Sequence, residues 1–589
     1  MTLWQTIGSL FSFLGSRHQH QLGWLLGLMI LVGICEVCGV ASSVPFLMAL
    51  TNLDRLFNHP KMQLFLKLTG ITAPDQLLVV VIIGFIGVTV ITNLLRITSI
   101  CMQNILTSKI SCDLSQQMYT KIMAQPYLFY NQHHTSEIVQ SLLWAKNLAA
   151  NFSIPILLII SNSFIVLFLM IGLLLIDGQV AVIAGLVLAS TYGLLYQWRK
   201  YKLTRNSVIL TETEQAINQL TMESLGNIKD ILLGGQQGYF SRIYTSLTNS
   251  YNQAQTENQT IFLTPRYFLE AVAITSISLL ALTIGQRGIP VLGSFAIAAN
   301  RLLPAFQQIF SCLGIVQAYQ EQMQVVITAL QRPIDPLQAL TVKEPFHFRE
   351  ALVLDQVWFR YNPDDRWVLK DLSLRIPART AIGFVGTTGS GKSTTADLIL
   401  GLLTPEKGRV LVDGQPLAGE RLRAWQQTIA HVPQAIFIAD TTILENIALG
   451  IDPAEIDYER AQMAARLAQL EEFILSLEQG YATHVGERGV RLSGGQRQRL
   501  GIARALYRQA QVLVFDEATS ALDNTTEREV MKAIKSLSHN LTIIMIAHRL
   551  STIEKCDLIY EFHQGQVIHQ GTYQELLEQS PSFKKMAIG

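Results

Sequence analysis

Gly386, Gly389 and Gly391 precede Lys392 and Ser393 in the string GTTGSGKST, which runs from Gly386 through Thr387, Thr388, Ser390 and on to Thr394. The glycines let successive backbone N–H groups turn toward one point, where side chains would block the approach. A lysine and a hydroxyl placed directly after them suit a polyphosphate: Lys392 reaches the terminal phosphates and Ser393 offers its oxygen to Mg2+. Two acids, Asp516 and Glu517, end the apolar run 512–515. Carboxylates are expensive to bury without partners, so their place is at the mouth of a sheet, where ligands of doubly wound folds bind. Between these strings lies a second glycine-rich one, LSGGQ, Leu492 to Gln496.

The elements that position these residues can be read around them. The run 380–385 is apolar and strand-like, and a helix-like run begins near Ser393. Strand, glycine loop and helix in that order turn the G-x-x-x-x-G-K-[ST] pattern into a phosphate cradle, with the positive end of the helix adding to it. The run 512–515 reads as a buried strand of the same sheet.

These strings and their order resemble the nucleotide-binding domain of ABC transporters. The resemblance implies ATP and Mg2+ as ligands and assigns further roles. Tyr361 corresponds to the aromatic that stacks on adenine. Gln434, in VPQ, corresponds to the glutamine linking magnesium to the membrane part, and Asp516 to the residue that holds magnesium through water. Glu517 corresponds to the general base for the attacking water. In the signature, Ser493, Gly494, Gly495 and Gln496 face the terminal phosphate of ATP bound to another copy. Asp523, in SALD, joins the two sites, and His548, in AHRLS, senses the terminal phosphate. Seven elements in order over about two hundred residues carry this resemblance, and none departs from the family pattern, which implies active ATP hydrolysis.

The first half has another composition. Long apolar stretches recur at 22–50, 77–106, 152–176, 180–196, 261–284 and 289–316. About 20 largely apolar residues cross the hydrocarbon of a bilayer, so six transmembrane helices are expected, the fourth being the shortest. No charged leader with a small-residue cleavage site stands before the first, so that span is expected to be retained. Basic residues set the orientation. Lys109, Lys121 and Lys146 lie in the connection after the second span, and Arg199, Lys200, Lys202, Arg205, Lys229 and Arg242 in the one after the fourth. Arg55, Lys61 and Lys67 moderate the bias, yet the rule still places the long connections, with the ATPase, in the cytoplasm of a multi-pass inner-membrane protein. Both connections are long and helix-rich, which predicts spans that continue beyond the bilayer. By resemblance to ABC exporters, 127–140 and 227–240 would be coupling segments resting on the ATPase.

Charge says little about the whole chain, since 45 Lys and Arg balance 44 Asp and Glu, and no case for nucleic-acid binding arises. Six scattered cysteines, with Cys35 and Cys38 inside an apolar run, imply packing and no disulfide framework. Local charges are more telling. Glu36 lies mid-span, and Arg301 sits about a dozen residues into the sixth span, where arginine costs on the order of 2.5–3.5 kcal/mol and calls for a wet cavity or a partner. Arg96 and Arg266 lie nearer the cytoplasmic side, where snorkelling or, for Arg266, pairing with Glu270 explains them equally well. The strings PRYFLEA and NRLLPAF resemble lipid-linked oligosaccharide flippases among the ABC exporters. That resemblance implies an anionic lipid-linked substrate met by Arg96, Arg266 and Arg301, and an external interfacial helix at 53–68 that touches its tail.

The expected architecture is an all-α polytopic membrane domain of six helices, residues 1–330, joined by a linker, 331–350, to an α/β P-loop ATPase, 351–589. One chain carries half of each composite ATP site, so the resemblance implies a dimer, in its simplest form a homodimer, with a heterodimer formed with another half-transporter as the alternative. A broad exporter of lipids or amphipathic drugs is the alternative, one that has no need of Arg301. An ATP-gated membrane protein that does not pump fits poorly with an intact Glu517 and LSGGQ. Importers usually place these domains on separate chains, and no protease domain is expected ahead of the first span.

Overall fold

The computed structural model describes residues 3–51, 53–58, 73–176, 178–284, 289–340, 346–517, 527, 529–530, 532–533, 541–547 and 550–588. The chain divides into two compact units, one of residues 1–123 and 133–333, the other of residues 124–132 and 334–589.

Six long helices build the first unit: α1 (Ser16–Thr51), α2 (Pro74–Met123), α3 (Ile154–Ile176), α4 (Gly178–Gly226), α5 (Gln237–Ile284) and α6 (Ile289–Ala318). Three of them, α2, α4 and α5, run well past the apolar stretch they carry, whereas α1, α3 and α6 lie close to the bounds of theirs. At 1.5 Å per residue, the 50 residues of α2 extend for about 75 Å, more than twice the hydrocarbon thickness. By length and composition the described parts of α1, α2 and the 149–175 stretch suffice to cross a membrane; 296–318 joins them when taken with Gln320–Gln331, across a 57° bend. Helices α4 and α5 are unbroken over 49 and 48 residues and carry their apolar runs at one end. Pro45, Pro265 and Pro304 lie within helices, as neighbouring helices allow in membrane bundles.

Packing within this unit changes along its helices. Gly33 and Gly172 let α1 and α3 approach closely: a methyl group added at Gly33 would lie 2.7 Å from the Phe168 ring, and one at Gly172 2.8 Å from Val37. In the extension of α2, Leu106, Ile110, Leu114, Met118 and Ile122 recur every fourth residue and are all buried, in one cluster with Trp144, Phe152 and Val326. A stripe of that spacing is what a helix needs to bury one face. Polar groups here are paired as well. Glu214 Oε2 accepts from Trp144 Nε1 at 3.0 Å and from Gln322 Nε2 at 2.9 Å. Short helices, Tyr127–Gln132 and Ile228–Leu233, occupy the two expected coupling segments. Of the expected external helix, Leu53–Phe57 is helical, and residues 59–68 lie outside the described ones.

The second unit holds two sheets. Strands β1 (Ala351–Phe359), β2 (Leu369–Pro377), β4 (Lys407–Val412) and β5 (Gln415–Pro416) pair antiparallel in the order β2-β1-β4-β5. The larger sheet has the order β10-β9-β3-β8-β7-β6, from β3 (Ala381–Gly386), β6 (Ile429–Val432), β7 (Val512–Asp516), β8 (Thr542–Ile546), β9 (Leu558–His563) and β10 (Gln566–Gly571). Its pairs are parallel except β9 with β10. Both faces are buried, which explains why β7 and β8 read as unbroken apolar runs. Val512 and Val514 enter one core with Ile544 and Ile546; Leu513 and Phe515 enter the other with Ile543 and Met545. The first core adds the antiparallel sheet, and the second the helices Ile443–Ile447, Tyr458–Leu467 and Gly494–Tyr507.

The helix that follows the glycine loop, Lys392–Ile399, is held at its far end. Trp425, fully buried, donates its indole N–H to Ile399 O at 2.7 Å and meets Phe346 and Phe348 edge-on. Trp425→Ala is expected to destabilise this unit by about 3–5 kcal/mol, read as a lower urea midpoint of the full-length protein in detergent. On the same helix, burial raises the Asp397 carboxyl from 3.8 to about 6, and the charge of Asp516 adds to the effect. The folded form therefore binds more protons at this group than the unfolded one between these values, so the contribution of Asp397 to stability is fully present below the lower value and is lost as pH rises through the window. Asp397→Asn should flatten that slope; an unchanged pH profile of the midpoint would contradict it.

Candidate functional site

The phosphate loop leaves the C-terminal end of β3, the central strand, and the acids leave the end of β7, with β8 between them. Sheet order alone thus brings 386–394 near Asp516 and Glu517. Gly386 has φ +144°, and a Cβ there would lie 2.2 Å from Phe562 O on the neighbouring β9. Gly391, with φ +102°, caps the helix Lys392–Ile399, and a Cβ there would lie 2.6 Å from Leu369. Neither position tolerates a side chain, so the loop keeps its backbone close to the sheet.

Lys392 is 5% exposed, and its Nζ donates to Gly386 O at 2.8 Å and Thr387 O at 3.0 Å. Burial lowers the pKa of this ammonium, opposed by the charges of Glu517 and Asp516. Thr387, Thr388, Gly389 and Ser393 are exposed at the mouth, whereas Thr394 is buried. Ser390 Oγ is buried with no hydrogen-bond partner among the described residues. A loop whose glycines exclude side chains, with an orphaned hydroxyl and a lysine at its base, fits a polyphosphate, and the exposed Ser393 hydroxyl fits a phosphate-bound magnesium.

Across the mouth, Gln434 Nε2 donates to Glu517 Oε2 at 2.8 Å. Glu517 itself has φ +51°, and its N–H is anchored on Ile546 O at 3.0 Å. Tyr361 is half-buried, its hydroxyl 3.2 Å from Thr394 Oγ1, so its ring stands beside the loop's helix. The short helix Tyr127–Gln132 belongs to this unit. Its Gln132 Nε2 donates to Asn362 Oδ1 at 3.0 Å, and Leu128 packs on the first core. Burial, with the nearby Asp397 carboxylate, raises the Tyr127 hydroxyl pKa.

The signature string starts a helix. Ser493 is the N-cap of Gly494–Tyr507: its Oγ accepts from Gln496 N, and Gln496 Oε1 accepts from Ser493 N at 2.7 Å. This capping box leaves the first N–H groups of a 14-residue helix, at Gly494 and Gly495, at a partly exposed end. Asp523 and His548 lie outside the described residues. Two residues that motif reading passed over steady this region: Arg504 donates to Phe437 O and Asn446 O, and Asn446 is fully buried. An arginine facing inward on an amphipathic helix was the available signal.

In the membrane unit the structure brings two of the three candidate arginines together. Arg96 Nη1 on α2 and Arg301 Nη1 on α6 each lie 3.5 Å from one oxygen, Oε1, of Glu36 on α1. Glu36 is 2% exposed, while the arginine side chains are 34% and 28% exposed. Arg266 is exposed on α5, and among the described residues no ion pair joins it to Glu270. The acid's position in mid-span was visible in the sequence; its partners were not.

Residues 369–520 match the family model described as ABC transporter, and residues 29–285 the ABC transporter transmembrane region. An ATP-dependent lipid A-core flippase of Chromobacterium violaceum is 32% identical over 523 residues, 87% of this chain and 88% of that one. The protein of the same description from Ralstonia nicotianae is 29% identical over 501 residues, 84% of each. Among solved structures, a bacterial Atm1-family ABC exporter with ATP bound superposes with a TM-score of 0.76 at 23% identity, covering 96% of this chain and 97% of that one. The similarity of fold extends over both units. With a helical membrane region and a nucleotide-binding ATPase on one polypeptide, the chain belongs to the ABC transporter family as an exporter-type half-transporter that couples ATP hydrolysis to translocation across a membrane.

Proposed function

We propose that this chain acts as a homodimer in the inner membrane, with its ATPase in the cytoplasm, and flips a lipid-linked oligosaccharide or related glycolipid with an anionic head group. The observation that carries the choice of cargo is the pair of guanidiniums gathered at Glu36 between otherwise apolar helices. Paired cations at membrane depth mark a substrate path more often than a fold requirement. The relatives named as lipid A-core flippases support a lipid as the flipped cargo. On this reading residues 1–330 form the membrane domain, 331–350 the connection and 351–589 the ATPase, with 124–132 seated in the ATPase unit as the first coupling segment.

Each residue of the nucleotide site has a place in the cycle. The backbone of 386–391 and Lys392 hold the β- and γ-phosphates, and Tyr361 supports the base. Ser393, Asp516 and Gln434 would hold magnesium, which when bound would supply positive charge against that building up on the phosphates. Glu517, oriented by Gln434, takes a proton from the attacking water. The capped end of Gly494–Tyr507, with Ser493, Gly494, Gly495 and Gln496, closes over the phosphates of the second copy, where an exposed helix N-terminus attracts anions. By resemblance, Asp523 is assigned to the junction of the two sites and His548 to sensing the terminal phosphate. Since ATP binds the closed pair more tightly than the open one, binding draws the copies together and hydrolysis releases them.

Glu517→Gln should retain ATP binding and lose at least about 100-fold in turnover; near-normal hydrolysis by purified protein would remove Glu517 as the base. Reconstituted in vesicles with ATP, the parent should accelerate flipping of a polyprenyl-pyrophosphate sugar, and Arg301→Ala should abolish most of that acceleration while retaining ATP binding. Equal transport of neutral amphiphiles by parent and variant would instead favour the broad exporter.

A further inference from the structure

Glu36, Arg96 and Arg301 are the sole formal charges in four stretches of sequence: 21–51 of α1, 76–108 of α2, 154–176 of α3 and 289–318 of α6. All three meet at one carboxylate oxygen, at 3.5 Å on each side. The acid has no room to withdraw. It is 2% exposed, and the residue before it is tied to α2 through Thr92 Oγ1, which donates to Cys35 O at 3.2 Å. Around Arg301 the neighbours are apolar and buried, with Ala298, Leu302 and Ala305 packed against Val40, Ile165 and Leu169. Each guanidinium carries five N–H donors, and the contact with Glu36 engages one nitrogen of each. About a third of each arginine side chain is exposed, so both keep donors for a ligand while Glu36 stays in place.

We infer that Glu36 is a specificity-determining counter-ion: it holds the two-arginine site at one net positive charge and so matches it to a phosphate with a single negative charge, as each phosphate of a polyprenyl-pyrophosphate sugar has, over a phosphomonoester with nearly two. The inference rests on the anionic-lipid reading above and deepens it. Two arginines without Glu36 would form a doubly charged site that favours a dianion. With Glu36 the extra negative charge of a dianion faces a fixed carboxylate a few ångströms away, in surroundings where such a repulsion is only partly screened. Arg96 and Arg301 contact the head group; Glu36 acts through them. A purely structural ion pair would alter stability when broken and leave charge preference untouched.

The test compares stimulation of ATPase activity by two lipids in phosphatidylcholine vesicles containing the full-length protein. Phosphatidylglycerol carries one negative charge, and phosphatidic acid, a phosphomonoester, carries nearly two at neutral pH. The quantity read is the ratio of their half-maximal concentrations. Glu36→Gln should shift that ratio toward phosphatidic acid by about tenfold, and Glu36→Asp should keep the parent's ratio. The double variant Glu36→Gln with Arg96→Gln has one net positive charge again and should return to the parent's ratio. Arg96→Gln alone, with no net charge, should move the ratio the opposite way, and this arm decides the matter if Glu36→Gln does not fold. A ratio unmoved by Glu36→Gln, or a shift that persists in the double variant, overturns the role of Glu36 alone. No stimulation of the parent by either lipid overturns the anionic-lipid reading and this inference together.

Discussion

A charge withdrawn from water must be met by an opposite charge or by aimed dipoles, and two clusters of this chain are built around that demand. In the ATPase unit the buried Lys392 ammonium leans on two loop carbonyls and feels Glu517 and Asp516. In the membrane unit the buried Glu36 carboxylate lies between two guanidiniums. In each case a single buried charge gathers residues from separate elements. It also leaves part of the surrounding charge available for a phosphate: the phosphates of ATP in one unit and, on the proposed reading, a lipid head group in the other.

The scaffold beneath the nucleotide site follows from alternation. Residues along β3, β7 and β8 point in turn to two apolar cores, so the sheet is covered on both faces and polar groups are displaced to its C-terminal edge. There the phosphate loop and the acids end on strands separated by one neighbour. Two anchors then limit motion of the loop: Phe562 O closes against Gly386 at its start, and Trp425 bonds Ile399 at the end of its helix. The seating of Tyr127–Gln132 in the same unit gives the chain a piece of the membrane region's sequence beside Asn362, next to Tyr361.

Much of this was legible before any coordinates. The glycine loop, the acids at a strand end and the LSGGQ string each occupy a few consecutive residues, and local backbone chemistry suffices to read them. Ser493 shows why, since its capping box with Gln496 is complete within four residues. Apolar runs located all six long helices, and the length of the connections foretold that spans continue past them: α2 runs on to Met123, where a stripe of every fourth residue replaces all-round apolarity. A window tuned to hydrocarbon thickness stops where water begins, although the helix does not. Arg504 and Asn446 escaped notice because each looks ordinary until both are buried together.

By itself, then, the order of amino acids determined the fold class, the family and the strand, glycine loop and helix around Lys392, because those depend on patterns confined to single elements or their order. Only the tertiary structure decided which charges meet. Glu36 and Arg301 are 265 residues apart, and Arg96 comes from a third helix. Nothing in their spacing distinguishes a snorkelling arginine from one held by an acid. That distinction depends on how helices pack and which faces they turn inward. Such packing is settled by the fit of many side chains at once, among them Gly33 against Phe168 and Val37 against Gly172.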